Sequence, residues 1–307
     1  MTVSNVVPAE QVWGLPAGLA RLRPEACGLL VALNEQVWRS GDAELLELIR
    51  VRVAELIGNR AGARARWASA ASAASAASAA DLEVREFAEQ FVIDVGGTTP
   101  EMRAELTGRF GADGARDLVT AVYVVEFTQR LQVMASRLLD GAPVIVPASA
   151  APSLDAYQAA VVRGSVLDPV TTELVRLRCA RTHHCRICQT LRLADARTAG
   201  VDETMTAKVD RYERSDLPER AKVALRVTDA FITRPDLLSD AVAGQARALF
   251  GADELASLCL DITKWSTQKI KVALGTDGAD RLVTDADGVA LFGFDSEGQA
   301  AGYRRRP

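Results

Sequence analysis

Cys185 and Cys188 form the only CxxC in the chain, and Glu173 stands twelve residues before the first of them. Thiols three positions apart can both lie in the first turn of a helix. There, unpaired backbone N–H groups and the positive end of the helix dipole favour a thiolate. A thiolate beside a second thiol can attack an electrophile, become oxidised and be resolved by its neighbour into a disulfide. Two other readings stay open. A CxxC is also half a zinc site, but a structural zinc needs four nitrogen or sulfur ligands, and the only histidines are His183 and His184. Free cysteines also serve as small buried hydrophobes.

The elements that must position these thiols read as helices. The stretch from Glu173 follows a helical pattern, passes the polar residues Thr182 to His184, and restarts at the cysteines. Helices are expected near 169–182, 185–199, 202–210, 218–233, 236–249 and 253–274. Toward the N-terminus, Leu29, Leu30, Leu33 and Val37 share one helical face before Gly41, and a second helix runs over about 43–57. Pro100 suits the first turn of a helix through Arg109 with Thr98 or Thr99 as its cap. Asp113 is placed to cap a long apolar helix through Leu139. The three prolines of 141–152 mark a linker. The Ala/Ser tract of 68–80 favours an extension of helix over a flexible connector. Strands are expected only in the tail, where 289–294, a turn at 295–298 and a polar return read as a β-hairpin.

The chain also carries an internal echo. Glu47–Ala54 and Glu173–Ala180 share five of eight identities, Phe110–Asp113 matches Phe250–Asp253, and Thr128–Leu131 matches Thr267–Ile270. Three landmarks in one order argue for a tandem duplication. In that register Asn59 lies opposite Cys185 and Gly62 opposite Cys188, so the first copy has no thiol pair. The expected organisation is a degenerate helical repeat over 1–142, a CxxC-bearing helical domain over 153–278, and a tail over 279–307.

Composition narrows the function classes. The 307 residues are 49% hydrophobic and 25% charged, the pattern of a globular chain, and the net charge of −4 gives no electrostatic footprint for nucleic acid. No apolar run is long enough to span a membrane, and the opening residues, without a charged or an apolar region, give no expectation of a secretory signal. Five cysteines are too few for a secreted disulfide scaffold and fit a reducing cytoplasm. No phosphate-binding loop is present, so no nucleotide cofactor is expected, and without a second CxxC the ligands are too few for a metal to be expected. Gly275–Gly278 follows a helix and reads as a cap and turn.

Glu173, Cys185 and Cys188 in a helix–break–helix setting resemble the alkylhydroperoxidase D / carboxymuconolactone decarboxylase family. Pro218–Phe231 resembles its next helix, and the helix from Asp253 through Leu274 its last. The resemblance implies an all-α fold, here as tandem domains with a hairpin tail, and a homo-oligomer. It implies that Cys188 meets a peroxide, that Cys185 resolves it, and that Glu173 relays the proton. The family's two relay histidines are replaced by Ile187 and Arg192. His184, directly before Cys185, is the candidate substitute, and Arg192 lies one turn beyond Cys188, where its charge would favour a thiolate.

The leading expectation is a thiol-dependent peroxidase or disulfide oxidoreductase acting on a small hydroperoxide or other small electrophile, and recycled by a thiol or lipoyl-type reductant. A second is cofactor-free acid–base chemistry on a carboxylic or lactone substrate, with Glu173 and His184 as proton carriers and Arg192 binding the substrate's anion. A third is a redox-responsive structural protein without catalysis.

Overall fold

The computed structural model describes residues 14–64, 79–280 and 282–304. Most of the Ala/Ser tract lies outside them. In the first half the elements are β1 (Leu15–Pro16), α1 (Ala17–Leu22), α2 (Pro24–Ser40), α3 (Ala43–Leu56), α4 (Arg60–Arg64), α5 (Ala79–Asp94) and α6 (Pro100–Leu138). β2 (Pro143–Val144) then leads to α7 (Leu154–Gly164) and α8 (Pro169–Thr182). After these come α9 (Arg186–Thr190), β3 (Leu191–Leu193), α10 (Ala194–Thr198) and α11 (Glu203–Ala207). α12 (Glu219–Ile232), α13 (Asp240–Leu249), α14 (Ala252–Trp265) and α15 (Lys269–Ala273) complete the helical body, and β4 (Ala290–Phe294) and β5 (Ala300–Ala301) close the chain. The fold is all-α with a small β tail.

Local chemistry accounts for where the helices begin. Asp42, Thr99, Ser153, Asp168 and Ser239 each accept a backbone N–H of the first turn of the helix they precede. Each such cap contributes about 1 kcal/mol. Thr99 fills the role expected of Thr98 or Thr99. The helices expected over 100–109 and 113–139 both form, and α6 is the two of them meeting at a break at Gly111, whose φ of 70° and ψ of 173° are not helical and suit glycine alone.

The expected helix over 185–199 is broken in three. α9 lasts five residues, β3 interrupts it, and α10 follows. The break has a tertiary cause. β3 pairs in parallel with β4, setting Leu191 opposite Ala290 and Leu193 opposite Phe292, and β4 pairs antiparallel with β5. The tail does form a hairpin, but it is built into the body as two strands of a three-stranded sheet. β1 and β2 pair likewise, across the expected linker. The expectation of bodies without strands therefore fails at β1 and β3, and β2 adds a short strand in the linker.

The two halves share one hydrophobic core that runs from Leu15 through Val122 and Phe127 to Leu258, Ile262 and Ala290. The C-terminal part of α6 and Leu255–Lys264 of α14 lie at its centre, and fully burying each leucine or phenylalanine there contributes roughly 1.5–3 kcal/mol. A buried ion cluster joins the halves. Glu126 of α6 accepts from Arg130 Nε at 2.8 Å and from Lys269 Nζ of α15 at 2.8 Å. Arg130 and Lys269 occupy matching places in the Thr-Gln-Arg and Thr-Gln-Lys landmarks, and both converge on this one carboxylate.

Candidate active site

α8 carries Glu173 and Arg176 on one buried face. Both carboxylate oxygens of Glu173 accept from Arg176, at 2.6 and 2.7 Å. Arg176 then reaches forward and donates through Nη1 to the Cys188 carbonyl at 2.8 Å. The pair thus pins the turn that bears the second cysteine. Cys185 caps α9: its Sγ accepts from the Cys188 N–H at 3.3 Å, and the two sulfurs are joined as a disulfide. The Arg186 N–H and guanidinium both bind Asp277, which fixes the other side of the turn.

A cavity of about 340 Å³ opens beside this turn. Its wall includes Cys188, Ile187, Arg176, Leu191, Lys264, Trp265, Phe292 and Phe294. Cys188 is 8% exposed and Cys185 is fully buried behind it. The tail supplies much of the wall, because pairing of β4 with β3 carries Phe292 and Phe294 against Trp265, with ring centroids 6.4 and 6.0 Å away. Arg176 lies 5.5 Å from the Phe292 centroid. Gly298, also on the wall, sits with φ +78° where a Cβ would fall 2.6 Å from the Ala159 carbonyl, so the hairpin turn docks directly on the backbone of α7.

The other expected site residues lie elsewhere. Glu173 is fully buried, committed to Arg176, and absent from the cavity wall. His184 has φ 54°, the left-handed turn that ends α8, and its ring packs on Gly96, away from the cavity. Arg192 forms an ion pair with Glu203, at 3.0 and 2.7 Å, and donates to the carbonyls of Gln189 and Leu191. None of the three touches the space that Cys188 faces. The ion pair of Glu173 with Arg176 is the ordinary structural role such an acid can take, and the acid alone gives no sequence signal to separate that role from a proton relay.

Lys264 and Trp265 are the residues that sequence reasoning passed over. They close α14, and Lys264 is 4% exposed. Its Nζ lies 3.2 Å from the Trp265 ring centroid and 4.3 Å from that of Phe294. Burial, with Arg176 adding to it, drives its amine well below the usual lysine range against the pull of Asp261. Burial raises Asp261 to about 6, although Ser165 donates to it at 2.9 Å. The three remaining cysteines, Cys27, Cys179 and Cys259, are buried thiols whose pKa burial raises to about 12, which makes them inert beside the CxxC pair.

A corresponding turn exists in the first half. Glu47 accepts from Arg50 at 2.7 Å, Arg50 donates to the Gly62 carbonyl at 2.6 Å, and the Gly62 N–H donates to Asn59 Oδ1 at 2.9 Å. Asn59 and Gly62 hold the places that Cys185 and Cys188 hold in the second half.

A single cysteine pair on a short helix, held by a Glu–Arg pair of the preceding helix, defines the class. The family model described as the carboxymuconolactone decarboxylase family matches residues 149–211, a span that contains every one of these groups. The chain belongs to that family. It is 38% identical over 228 residues to the uncharacterized protein Rv2313c of Mycobacterium tuberculosis strain H37Rv, a match covering 68% of this chain and 80% of that one. The uncharacterized protein MT2376 of strain CDC 1551 / Oshkosh matches with the same identity and coverage. No solved structure matches the chain. Among the described residues, no helix is long and apolar enough to cross a membrane, and no group of three or more His, Cys, Asp or Glu side chains could hold a metal ion.

Proposed function

We propose that the protein is a thiol-dependent oxidoreductase that reduces a small organic hydroperoxide, or an electrophile of similar size, at Cys188. The observation that carries this reading is the asymmetry of the pair. Cys188 faces a cavity with aromatic walls, while Cys185 lies sealed behind it within disulfide reach. In the reduced enzyme the Cys188 thiolate attacks the distal peroxide oxygen. The O–O bond breaks, the alkoxide takes a proton and leaves as an alcohol, and Cys188 becomes a sulfenic acid. The Cys185 thiol attacks that sulfur, water departs, and the disulfide forms. An external dithiol of unidentified nature returns both sulfurs to thiols by exchange.

Glu173 acts in this scheme through Arg176. It holds the guanidinium that grips the Cys188 carbonyl, and so fixes where the sulfur stands. The first half is read as a duplicate that kept the Glu–Arg–turn framework and lost the thiols, leaving it as structural support. The aromatic cavity beside the sulfur favours a catalytic role over a purely structural one, since a structural disulfide needs no opening. The direct test is mass spectrometry of the reduced protein after one equivalent of cumene hydroperoxide. The expected result is loss of the two thiols as one Cys185–Cys188 disulfide; thiols that stay reduced while a control peroxidase is oxidised overturn the reading.

A further inference from the structure

The chain carries 31 arginines and only five lysines, and three of those lysines, Lys264, Lys269 and Lys271, fall within eight residues at the end of α14 and in α15. A guanidinium stays charged under all ordinary conditions, whereas an amine can lose its proton and become a nucleophile. Lys269 is engaged with Glu126. Lys264 is different. It is 4% exposed and lines the cavity, yet none of the described residues gives its Nζ a hydrogen bond or an ion pair. A buried polar group without a partner costs free energy, and a buried unpaired charge costs more. The amine relieves that cost by staying neutral, or by bonding to something that enters the cavity.

Of the charged groups around it, Asp261 pulls toward the ammonium and Arg176 toward the neutral amine. Asp261, one turn earlier on α14, is tied to Ser165. Arg176 of α8 presents a like charge and is itself saturated by Glu173. Around the rest of the cavity stand Asp155 of α7, Lys271 of α15 and Cys188 of α9. The faces of Trp265 and Phe294 lie 3.2 and 4.3 Å from the Nζ and attract its ammonium form, so burial and the like charge of Arg176 are what favour the neutral amine.

We propose that Lys264 is a carbonyl-reactive amine, and that the cavity captures an apolar aldehyde or ketone of about the size of an aromatic ring as an imine. The nitrogen lone pair attacks the carbonyl carbon and the π pair moves to oxygen. The two amine hydrogens pass to that oxygen, and water leaves as the C=N bond forms. No oxidant or reductant is consumed. This activity is separate from the thiol chemistry and uses the same chamber.

The test uses full-length protein with Cys185 and Cys188 both changed to serine, so that its outcome does not depend on the thiol reading. Benzaldehyde and sodium cyanoborohydride are added at a series of pH values, and the labelled sites are read by peptide mapping. At pH 7, Lys264 should accumulate the reduced adduct more than about tenfold faster than the exposed Lys271, because a larger share of it is unprotonated. The rise in labelling of Lys264 should also come at lower pH than the rise for Lys271. Lys264→Met and Lys264→Arg should both remove the fast-labelled site, the second while keeping a positive charge. If either variant fails to fold, the comparison of Lys264 with Lys271 in the parent protein decides the question alone. Labelling of Lys264 no faster than Lys271, or a fast label that survives in folded Lys264→Met, overturns the proposal.

Discussion

Cys185 and Cys188 sit in matched local surroundings and differ in what they face, and that difference sets the roles to be tested. Cys188→Ser should abolish peroxide-dependent turnover. Cys185→Ser should leave a sulfenic acid on Cys188 that a dimedone probe captures, followed by mass spectrometry. Glu173→Gln should leave Arg176 buried without its counter-charge, with a loss of roughly 3–5 kcal/mol of stability in a urea titration. The Cys188 turn should loosen with it, so kcat/KM falls even where the protein remains folded. His183 offers a test by pH. It is buried against Ser266 at 3.0 Å, and burial, then Lys269 and Arg130, hold its pKa well below the ordinary 6.5. The unfolded chain takes up a proton there near 6.5 while the native state does not, so this contribution to stability is full above that pH and is lost as pH falls below it. His183→Gln should flatten that part of the curve of melting temperature against pH.

At the scale of elements, the sheet of β3, β4 and β5 is what turns a helical hairpin into a site. Gly298 is its anchor: an added Cβ would meet the Ala159 carbonyl at 2.6 Å in a left-handed turn. Gly298→Ala should therefore lift the hairpin, move Phe292 and Phe294 off the wall, and raise KM for an apolar hydroperoxide more than for hydrogen peroxide in steady-state assays. Gly111→Ala is a contrasting change. Nothing lies within 4 Å of the added methyl, so the cost is backbone strain alone. It should be about 1–3 kcal/mol in a denaturant titration, with kcat and KM unchanged. The helices themselves were legible because their caps and apolar spacing are local. The sequence pattern of 185–199 also read as helical, and it was overruled because the pairing partner of β3 lies about a hundred residues away.

At the scale of the whole molecule, the common core and the cluster at Glu126 tie the two halves together. Urea unfolding followed by circular dichroism and by tryptophan fluorescence should give one coincident transition, not two. Glu126→Gln should destabilise the entire protein by roughly 3–5 kcal/mol, since it deprives both Arg130 and Lys269 of their carboxylate. We propose that the protomer, with its similar Glu–Arg turns in both halves, assembles further as a dimer or a trimer. Sedimentation equilibrium at micromolar concentration should show that association, and a stable monomer would rule it out.

The sequence by itself determined the helical class, most helix boundaries, the thiol pair and the internal echo. Each of these is written in near neighbours: cap residues, apolar periodicity, the three-residue cysteine spacing and the repeated Glu-Leu-x-Arg. Tertiary structure decided which of the candidate side chains meet. It committed Glu173 to Arg176, drew Arg192 to Glu203, turned His184 onto Gly96, and brought Lys264, Trp265 and two tail phenylalanines around Cys188. The physical reason is that burial and pairing depend on residues distant in the chain. A carboxylate is free or spent, and a lysine charged or neutral, only once the fold has chosen its neighbours.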